Sequence, residues 1–402
     1  MDIARLLSDR ARAVEPSGIR RISDLAARIP DAINLSIGQP DFAVPEAIKR
    51  AAVEAIQQDR NGYSTTVGVG PLREAIHAWV KTDLGWDCTP RADVRADAGA
   101  GGASMLVTSG TSGALVLLAQ TLLGAGDEFI VGDPYFSLYP GLAALCGARM
   151  VACDTYPDFR LTAARVEPLI TERTKFVLLT SPSNPSGVVC TKEDVADLLD
   201  LCRRRGVLLV SDEIYDDFTF RAHRGDACVG DASKARCPSP ARLPGAEEDV
   251  LVIRGFGKTY GVTGWRLGYA VGPRALVEQM TKINMYTYVC APTPLQFAAA
   301  AAYGVDMDPI VDGYERRRDM VLERLRSVTE VTEPGGAFYV FPKVPERLGI
   351  TSTQFVERCV EKKLLVVPGK AFSTRDTHFR VSLAATDEVL RRGCEVLCGL
   401  MR

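Results

Sequence analysis

The amino-acid sequence predicts an α/β protein whose core is a mostly parallel, doubly wound sheet of seven strands flanked by helices. Short β-rich runs alternate with stretches of helical spacing between about residues 105 and 272, which is the pattern of strand–helix–strand units. Most runs are continuously apolar, as strands are when helices cover both faces of a sheet. The last two runs are separated only by residues 257–265, too few for a parallel crossover, so one of these strands is expected to be antiparallel.

The predicted strands follow one another through the middle of the chain. In order they are MLVTSG (105–110), EFIVGD (128–133), ARMVACD (148–154), KFVLLTS (175–181), VLLVSDE (207–213), VLVIRGF (250–256) and RLGYAVG (266–272). Between them, ALVLLAQTLL and EDVADLLDLCRRRG have the periodicity of helices that cover a sheet. Ligands of such sheets bind beyond the carboxyl ends of the strands, so polar residues at those ends are the candidates for a site.

Two domains are predicted. Residues 46–294 form the large α/β domain, while residues 1–45 and 295–402 together form a smaller α+β domain. In the second of these segments a charged helix (310–327) precedes the short β-rich runs GGAFYVFP, LLVVPG and HFRVSLA. Residues 221–249 are rich in Pro, Ala, Gly and charge, which predicts an extended surface loop between two core strands.

Composition argues against several classes of function. The chain has 48 Lys and Arg residues against 50 Asp and Glu, a net charge of −2, so nothing suggests nucleic-acid binding. No run approaches the roughly 18 apolar residues of a membrane span. Eleven cysteines without a CxxC pair and three dispersed histidines predict reduced thiols and no metal centre. The N-terminus lacks the pattern of a signal peptide, and the expected location is the cytoplasm.

The segment GFGKTYGVTGWRLGY (255–269) carries the strongest chemical signal. Lys258 follows the apolar run VLVI (250–253), and a lysine carried from a buried strand into a tight turn loses solvation, which lowers its pKa and makes its amine a nucleophile. Arg266 adds a permanently charged fork suited to phosphate. An amine that captures an aldehyde, together with a phosphate anchor, fits pyridoxal 5′-phosphate (PLP). Taken alone, the pair would more simply be a surface lysine and a helix-end arginine.

A second phosphate-binding feature is VTSGTSGAL (107–115), which runs from a strand through a small polar turn into a helix. The backbone N–H groups and hydroxyls of Gly110, Thr111 and Ser112 would form an anion cup at the helix N-terminus. The same residues also serve as ordinary helix caps, so this signal is weak by itself.

Two further strand ends carry groups that suit a pyridine ring. In SDEIY (211–215), Asp212 would pair with the protonated ring nitrogen, and Tyr215 could donate to the phenolic oxygen. In SPSNPSG (181–187), the amide of Asn184 could donate to the same oxygen. The alternatives are an aspartate that caps the next element and a common Asn-Pro turn. The Asn184–Pro185 bond can be cis or trans, and the sequence does not decide between the two.

Two residues complete the set. Phe136, in DPYFSLYP (133–140), would stack on a flat ring, although aromatic residues at strand ends are more often part of the core. Arg380 stands in the apolar strand FRVSLA (379–384). A buried arginine needs an anion, and its fork suits the α-carboxylate of an amino acid; the alternative is an internal salt bridge.

Together, SNPSG, SDEIY, KTYGVTGWRLGY and FRVSLA, in this order and spacing, resemble the class I/II PLP-dependent aminotransferases of fold type I, which include aspartate aminotransferase. The resemblance extends over nearly the whole chain and includes NLSIGQPDF (34–42) and YSTTVGVGPLREAI (63–76). It implies an enzyme that moves an amino group from an L-amino acid to a 2-oxo acid by a ping-pong mechanism.

The resemblance also implies a role for each residue. Lys258 would form the covalent imine with PLP and move the substrate's proton, and Arg380 would bind the α-carboxylate with help from Gly38 and Asn184. In this family the tyrosine matching Tyr63 reaches the cofactor phosphate of the neighbouring subunit, which implies a homodimer with shared sites. The remaining cofactor-binding residues would be Asp212, Tyr215, Asn184, Arg266, Gly110, Thr111, Ser112 and Phe136.

Two positions depart from the family pattern. Gly255 stands where a serine often binds the phosphate, and its missing hydroxyl is expected to weaken cofactor binding by about 1 kcal/mol. Ser112 stands where aspartate-specific bacterial relatives carry a lysine that binds the substrate's second carboxylate. Aspartate specificity is therefore not expected unless Arg20 or Arg21 supplies that charge.

Two other classes of protein share these residues. A PLP-dependent lyase, either a carbon–sulfur β-lyase or one similar to aminocyclopropane-carboxylate synthase, would use most of the same groups. A PLP-binding regulator without enzymatic activity is disfavoured, since the roughly 33 residues before NLSIG are too few for a winged helix.

Overall fold

The predicted sheet is present, and each of its seven strands coincides with a predicted run. The computed structural model describes residues 1–15, 29–88, 102–225 and 236–402. The strands are β1 (Ile33–Asn34), β2 (Ala103–Thr108), β3 (Glu128–Asp133), β4 (Arg149–Asp154), β5 (Thr174–Thr180), β6 (Leu208–Asp212), β7 (Val250–Gly255), β8 (Gly268–Pro273), β9 (Tyr339–Val340), β10 (Leu364–Leu365), β11 (Val367–Pro368) and β12 (Phe379–Ser382).

The large sheet has the order β2–β8–β7–β6–β5–β3–β4. The five strands β3 to β7 all run parallel to one another. Strand β8 is antiparallel to both of its neighbours, β2 and β7. This confirms the expectation from the short connection before β8. Asp212 pairs in register with Thr180 on one side and Ile253 on the other, so the carboxyl ends of β5, β6 and β7 lie in line.

The described helices include those that cover both faces of this sheet and, toward the end of the chain, three that pack elsewhere. They are α1 (Asp9–Ala13), α2 (Glu46–Gln57), α3 (Gly70–Leu84), α4 (Gly110–Leu122), α5 (Tyr139–Cys146), α6 (Ala163–Val166), α7 (Lys192–Arg205), α8 (Phe256–Thr259), α9 (Arg274–Tyr286), α10 (Thr293–Ala300), α11 (Asp308–Leu325), α12 (Ser352–Glu361) and α13 (Asp387–Met401). In the described part of the chain, no helix is long and apolar enough to cross a membrane.

Alternation along the strands explains why both faces are buried. Successive side chains of a strand point to opposite faces, and in β6 Leu209 belongs to one apolar cluster while Val210 belongs to another. The same division separates Val252 from Ile253 in β7. Each strand therefore needs apolar residues at consecutive positions, which is why the runs read as continuous rather than alternating.

A third apolar cluster unites α11, α12 and α13 with the short strands β9, β10 and β12. Helix α10 does not belong to it, because Ala298 and Ala299 pack in the core of the large sheet together with Ala302 and Met307. The predicted domain boundary at 295 thus falls inside α10. The packing favours a boundary after Met307.

The prediction for residues 221–249 needs correction. Residues 226–235 lie outside the described residues, but much of 236–249 is buried rather than exposed: Cys237, Ala241 and Ala246 have no exposed surface. Short 3₁₀ turns at Pro240–Arg242 and Ala246–Glu248 place these residues against the sheet. Local composition could not reveal this, because the apolar residues are scattered among charged ones that find partners inside the fold.

Those partners form a buried network of charges that links the segment to the sheet. Arg254 in β7 contacts Asp83 at 2.6 Å and Glu213 at 2.8 Å, and Arg242 contacts Asp83 at 2.8 Å. Ser239 donates to Glu213 at 2.6 Å. Buried charges are stable only when paired, and these pairs tie helix α3 and residues 239–242 to the ends of β6 and β7.

This network yields a prediction about stability. Asp83→Ala leaves Arg254 and Arg242 buried with less opposing charge, which is expected to lower the free energy of unfolding by about 3–5 kcal/mol. Arg204→Ala, which breaks an exposed pair with Asp200, is the matched control and should change little. Urea titration of both variants provides the measurement, and equal stabilities for the two would contradict the account.

Candidate active site

A cavity of about 300 Å³ lies beyond the carboxyl ends of β5, β6 and β7. It collects every residue that the sequence predicts for the site except Tyr63. Its lining includes Gly38, Gly110, Thr111, Ser112, Phe136, Tyr139, Thr180, Asn184, Asp212, Tyr215, Lys258, Arg266, Tyr339 and Arg380. Residues that are far apart in sequence thus meet at the edge of the sheet where ligands of this architecture bind.

Lys258 lies in the short helix α8, directly after β7, and its amine points into the cavity. Its Nζ donates to the backbone carbonyl of Gly38. Burial, and then the nearby cations Arg380 and Arg266, lower the pKa of Lys258 from 10.5 to about 8. The neutral, nucleophilic amine is therefore available much closer to physiological pH than in an exposed lysine.

The anion cup is present beside Arg266. Helix α4 begins at Gly110, and the Ser109 side chain does not cap it, so the helix N-terminus can receive an anion from the cavity. Gly110 has φ +72°, and a Cβ atom there would lie 2.6 Å from a guanidinium nitrogen of Arg266. Gly268 is equally required, because its Cβ would lie 2.8 Å from the backbone of Gly110 and Thr111.

Asp212 ends β6 with its carboxyl group buried, at 3% exposure. Tyr139 donates to its Oδ2 at 3.2 Å, and the Tyr139 hydroxyl also lies 2.6 Å from Thr180 Oγ1. Burial raises the pKa of Asp212 to about 6, against the lowering effect of hydrogen bonds from Ile214 and Tyr139. Among the described residues, no arginine or lysine acts on this carboxylate, so it can serve a cationic ligand group.

Arg380 is the most completely buried cation of the cavity, at 1% exposure. It donates to Asn184 Oδ1 and to the Ser36 carbonyl, each at 2.9 Å, and its Nε has no hydrogen-bond partner. Burial lowers its pKa. The alternative of an internal salt bridge is wrong, since no carboxylate pairs with Arg380 in the described ranges.

The remaining predicted groups take suitable positions. The side-chain carbonyl oxygen of Asn184 accepts a hydrogen bond from Arg380, so its amide N–H groups can donate to another acceptor. The Asn184–Pro185 bond is cis. Tyr215 is 3% exposed and its hydroxyl lies 3.0 Å from that of Tyr339. Phe136 lines the cavity with its ring perpendicular to that of Tyr139.

Tyr63 lies outside the cavity and is 91% exposed. This position is compatible with contact to a neighbouring subunit, as the resemblance implies, and not with a role in the cavity of its own chain. Arg20 and Arg21, the possible substitutes for the missing lysine, lie outside the described residues.

Among the lining residues that sequence reasoning missed are Tyr139, Thr180 and Tyr339. Tyr139 lies three positions after Phe136, so the spacing of DPYFSLYP was a usable signal for two side chains on one turn. Thr180 pairs in register with Asp212, which becomes visible only once the strand order is known. Tyr339 comes from the C-terminal part of the chain, in the run GGAFYVFP, which the sequence predicts only as a β-rich run of the smaller domain.

The departure at Gly255 has a structural basis. A Cβ atom at this position would lie 2.9 Å from Ile214 Cδ1 and 3.0 Å from Thr111 Cγ2. The side chain of Ile214 and the methyl group of Thr111 therefore occupy the space that a serine would need. Thr111 itself belongs to the anion cup, so the cup is built with a different set of groups.

These observations fit PLP. The cavity has the size of a small-molecule site, and it contains an amine of lowered pKa, an anion cup beside an arginine and a buried carboxylate without a cationic partner. Those groups match the aldehyde, the phosphate and the pyridine nitrogen of the cofactor. Arg380, with its unpaired Nε, remains for a substrate carboxylate.

Comparison with known proteins agrees with the geometry. The sequence profile of the family described as aminotransferase class I and II matches residues 30–397. The chain belongs to this family. It is therefore a PLP-dependent aminotransferase, and the expectations for family, fold, activity and cofactor are confirmed.

Individual relatives of this aminotransferase are similar along nearly its full length. Aromatic-amino-acid aminotransferase 2 of Thermococcus litoralis is 34% identical over 399 residues, covering 97% of this chain and 96% of the relative. Aspartate aminotransferase of Pyrococcus abyssi is 32% identical over 406 residues, covering 98% of both chains. The structure of aspartate aminotransferase from Thermus thermophilus with maleate superposes with a TM-score of 0.87 at 31% identity, covering 98% and 99% of the two chains.

The buried carboxyl group of Asp212 gives a pH-dependent prediction for the cofactor-free aminotransferase. Its pKa is raised on folding from 3.8 to about 6, so the folded state holds the proton more tightly, and stability falls as pH rises through 6. Asp212→Asn should therefore raise the free energy of unfolding by about 3 kcal/mol at pH 8, and by about half as much at pH 5. Urea titration at both pH values, with the exposed Asp200→Asn as control, provides the measurement; a gain independent of pH would contradict this origin.

Proposed function

We propose that this aminotransferase carries out both half-reactions in the cavity around Lys258, taking an amino group from an L-amino acid and giving it to a 2-oxo acid. The main support is the position of Arg380, whose guanidinium is buried, unpaired with any carboxylate of the described residues and directed into the same cavity as Lys258. A charge buried in this way favours an anionic ligand. The substrate's α-carboxylate is such a ligand, since it is planar and suits the arginine fork.

The cofactor would be held by groups of opposite charge at its two ends. Arg266 and the N-terminus of α4 would bind the phosphate, and Asp212 would hold a proton at the pyridine nitrogen. Tyr215 and the amide of Asn184 would donate to the phenolic oxygen, while Phe136 would lie against the ring. When bound, PLP supplies an electrophilic carbon and a ring that accepts the electron pair of the broken Cα–H bond.

Lys258 is proposed as the base. Its amine lines the same cavity as Arg380 and donates to the Gly38 carbonyl, so it would face the Cα of a donor whose carboxylate binds Arg380. Because its pKa is lowered to about 8, this amine would accept the proton of the substrate's Cα and release it again near neutral pH. The second half-reaction uses the same groups in the opposite direction.

The charges of the cavity suggest a donor class. The cations among its described lining residues are Lys258, Arg266 and Arg380, and each has a part in this scheme. Because Ser112 provides no further cation, we expect donors with neutral side chains to react faster than aspartate. The relatives named above are an aromatic-amino-acid aminotransferase and two aspartate aminotransferases, so aromatic amino acids and aspartate both belong in the test.

We also propose a homodimer with shared sites. Tyr63, Tyr286, Tyr288 and Val289 are exposed apolar side chains. The two segments that carry them meet where Asn284 donates to the Thr66 carbonyl at 3.2 Å. Exposed apolar surface of this kind marks an interaction site. Tyr288 reaches the start of α4, since a Cβ at Gly113 would lie 3.9 Å from its ring. The surface therefore borders the phosphate cup.

The cytoplasm remains the expected location of this enzyme. The support is chemical: the cysteines of the described ranges are all unpaired, as is usual in a reducing compartment.

The function is tested by mixing PLP-loaded protein with single amino acids in the absence of an oxo acid. The absorbance is expected to convert to that of the pyridoxamine form, and neutral donors should convert faster than aspartate. Arg380→Met should weaken donor binding by about 10–100-fold, since it removes a charge-assisted, bidentate contact, while PLP binding is retained. Lys258→Ala should abolish conversion.

Three outcomes would contradict the proposal. Normal conversion by Lys258→Ala would exclude it as the base, and unchanged donor binding by Arg380→Met would place the carboxylate elsewhere. Accumulation of pyruvate and ammonia from cysteine conjugates, with no pyridoxamine form, would favour a lyase.

The shared site predicts complementation between two defective subunits. Tyr63→Phe should weaken PLP binding by about 5-fold through the loss of one hydrogen bond. In mixed dimers of Tyr63→Phe and Lys258→Ala subunits, one site combines an intact Lys258 with an intact Tyr63 from the other subunit, and that site should bind PLP as tightly as the native protein. No recovery of affinity in the mixed dimers would show that Tyr63 does not act across the interface.

A further inference from the structure

Tyr339 belongs to the cavity but has no part in the scheme above. It lies in β9, on the segment contributed by the C-terminal part of the chain, and is 1% exposed. Its hydroxyl lies 3.0 Å from the hydroxyl of Tyr215, close enough for one hydrogen bond in either direction. The Arg380 guanidinium lies over its ring at 4.4 Å.

The direction of this hydrogen bond matters, because each hydroxyl has a single proton. If Tyr215 donated to Tyr339, it would present only lone pairs to the phenolic oxygen of the cofactor, which is itself an acceptor. If Tyr339 donates, the proton of Tyr215 is free to point into the cavity. Only the second arrangement allows Tyr215 to act as a donor to the cofactor.

The surroundings favour Tyr339 as the donor, because the Arg380 guanidinium lies directly over its ring. Burial raises the pKa of both hydroxyls, and the positive charge of Arg380 opposes this rise at both. At Tyr339 Arg380 is the largest opposing effect, whereas at Tyr215 the negative charge of Asp212 adds to the rise in pKa. A more acidic hydroxyl is the better hydrogen-bond donor. The other charged groups that line the cavity around this pair, among the described residues, are Lys258, Asp212 and Arg266.

Resting on the role proposed above for Tyr215, we propose that Tyr339 is a positioning residue that donates its hydroxyl proton to the Tyr215 oxygen and so directs the Tyr215 proton to the phenolic oxygen of PLP. Hydrogen bonds in a chain polarise one another, so the Tyr339 hydroxyl also makes Tyr215 a stronger donor. Tyr339 itself does not touch the cofactor oxygen in this arrangement.

The experiment follows the visible absorbance of the PLP-loaded protein as a function of pH. A hydrogen bond to the phenolic oxygen stabilises its anionic form, so the proton shared by this oxygen and the Lys258 nitrogen is released at lower pH. Tyr339→Phe keeps the ring under Arg380 and removes only the hydroxyl. It is expected to raise the midpoint by about 0.3 pH unit, because polarisation contributes roughly 10–30% of each bond in such a chain. Tyr215→Phe should raise it further.

The double variant separates an indirect role from a direct one. If Tyr339 acts through Tyr215, then Tyr339→Phe should produce no further shift in the Tyr215→Phe background. Tyr314→Phe is the matched control, since it removes a buried hydroxyl that bonds Asp41 outside the cavity, and its midpoint should equal that of the native protein.

Each outcome has a distinct meaning. A native midpoint in Tyr339→Phe, or an equal shift with and without Tyr215, would overturn the inference while leaving the proposed function intact. A native midpoint in Tyr215→Phe would instead remove the role of Tyr215 on which the inference rests. Circular dichroism and PLP affinity of each variant establish that the fold is retained, so that a shift reports the hydrogen bond.

Discussion

The burial of Asp212 and Arg380 around one cavity is the constraint on which the rest of this structure depends. Each charged group has polar neighbours, Tyr139 for Asp212 and Asn184 for Arg380, but neither contacts a group of opposite charge in the described residues. Such burial is costly for the protein alone. In the proposed scheme, the pyridine nitrogen of the cofactor and the carboxylate of the substrate would supply the opposite charges, so that ligand binding would offset this cost.

The sheet brings these groups together because its strand ends coincide. The register of β5, β6 and β7 aligns Thr180, Asp212 and Ile253, and the absence of a side chain at Gly268 lets the start of α4 approach the same edge. Behind this edge, the network of Arg254, Glu213 and Asp83 fixes the strands that carry Asp212 and Lys258. The charges of this network are thus paired with one another, whereas Asp212 and Arg380, which line the cavity, have no opposite charge beside them among the described residues.

Much of this arrangement could be predicted from the sequence. Continuous apolar runs predict the seven strands. Lys258, Asp212 and Arg380 are recognisable as site residues because a charged side chain at the end or in the middle of a buried strand is costly unless it has a partner. What could not be predicted depends on tertiary pairing. Thr180 and Tyr339 enter the site through strand register and through contact between segments far apart in the chain, and the burial of residues 236–249 depends on Asp83, about 160 positions away. Local periodicity contains no information about such contacts.

The central claim is that the amine of Lys258 is the group that captures the cofactor. The most direct measurement is to add PLP to the purified protein, reduce the complex with borohydride and locate the modified residue by peptide mass spectrometry. The account predicts one phosphopyridoxyl group per chain, on Lys258 alone. Stoichiometric modification of another lysine, or no modification at saturating PLP, would contradict it.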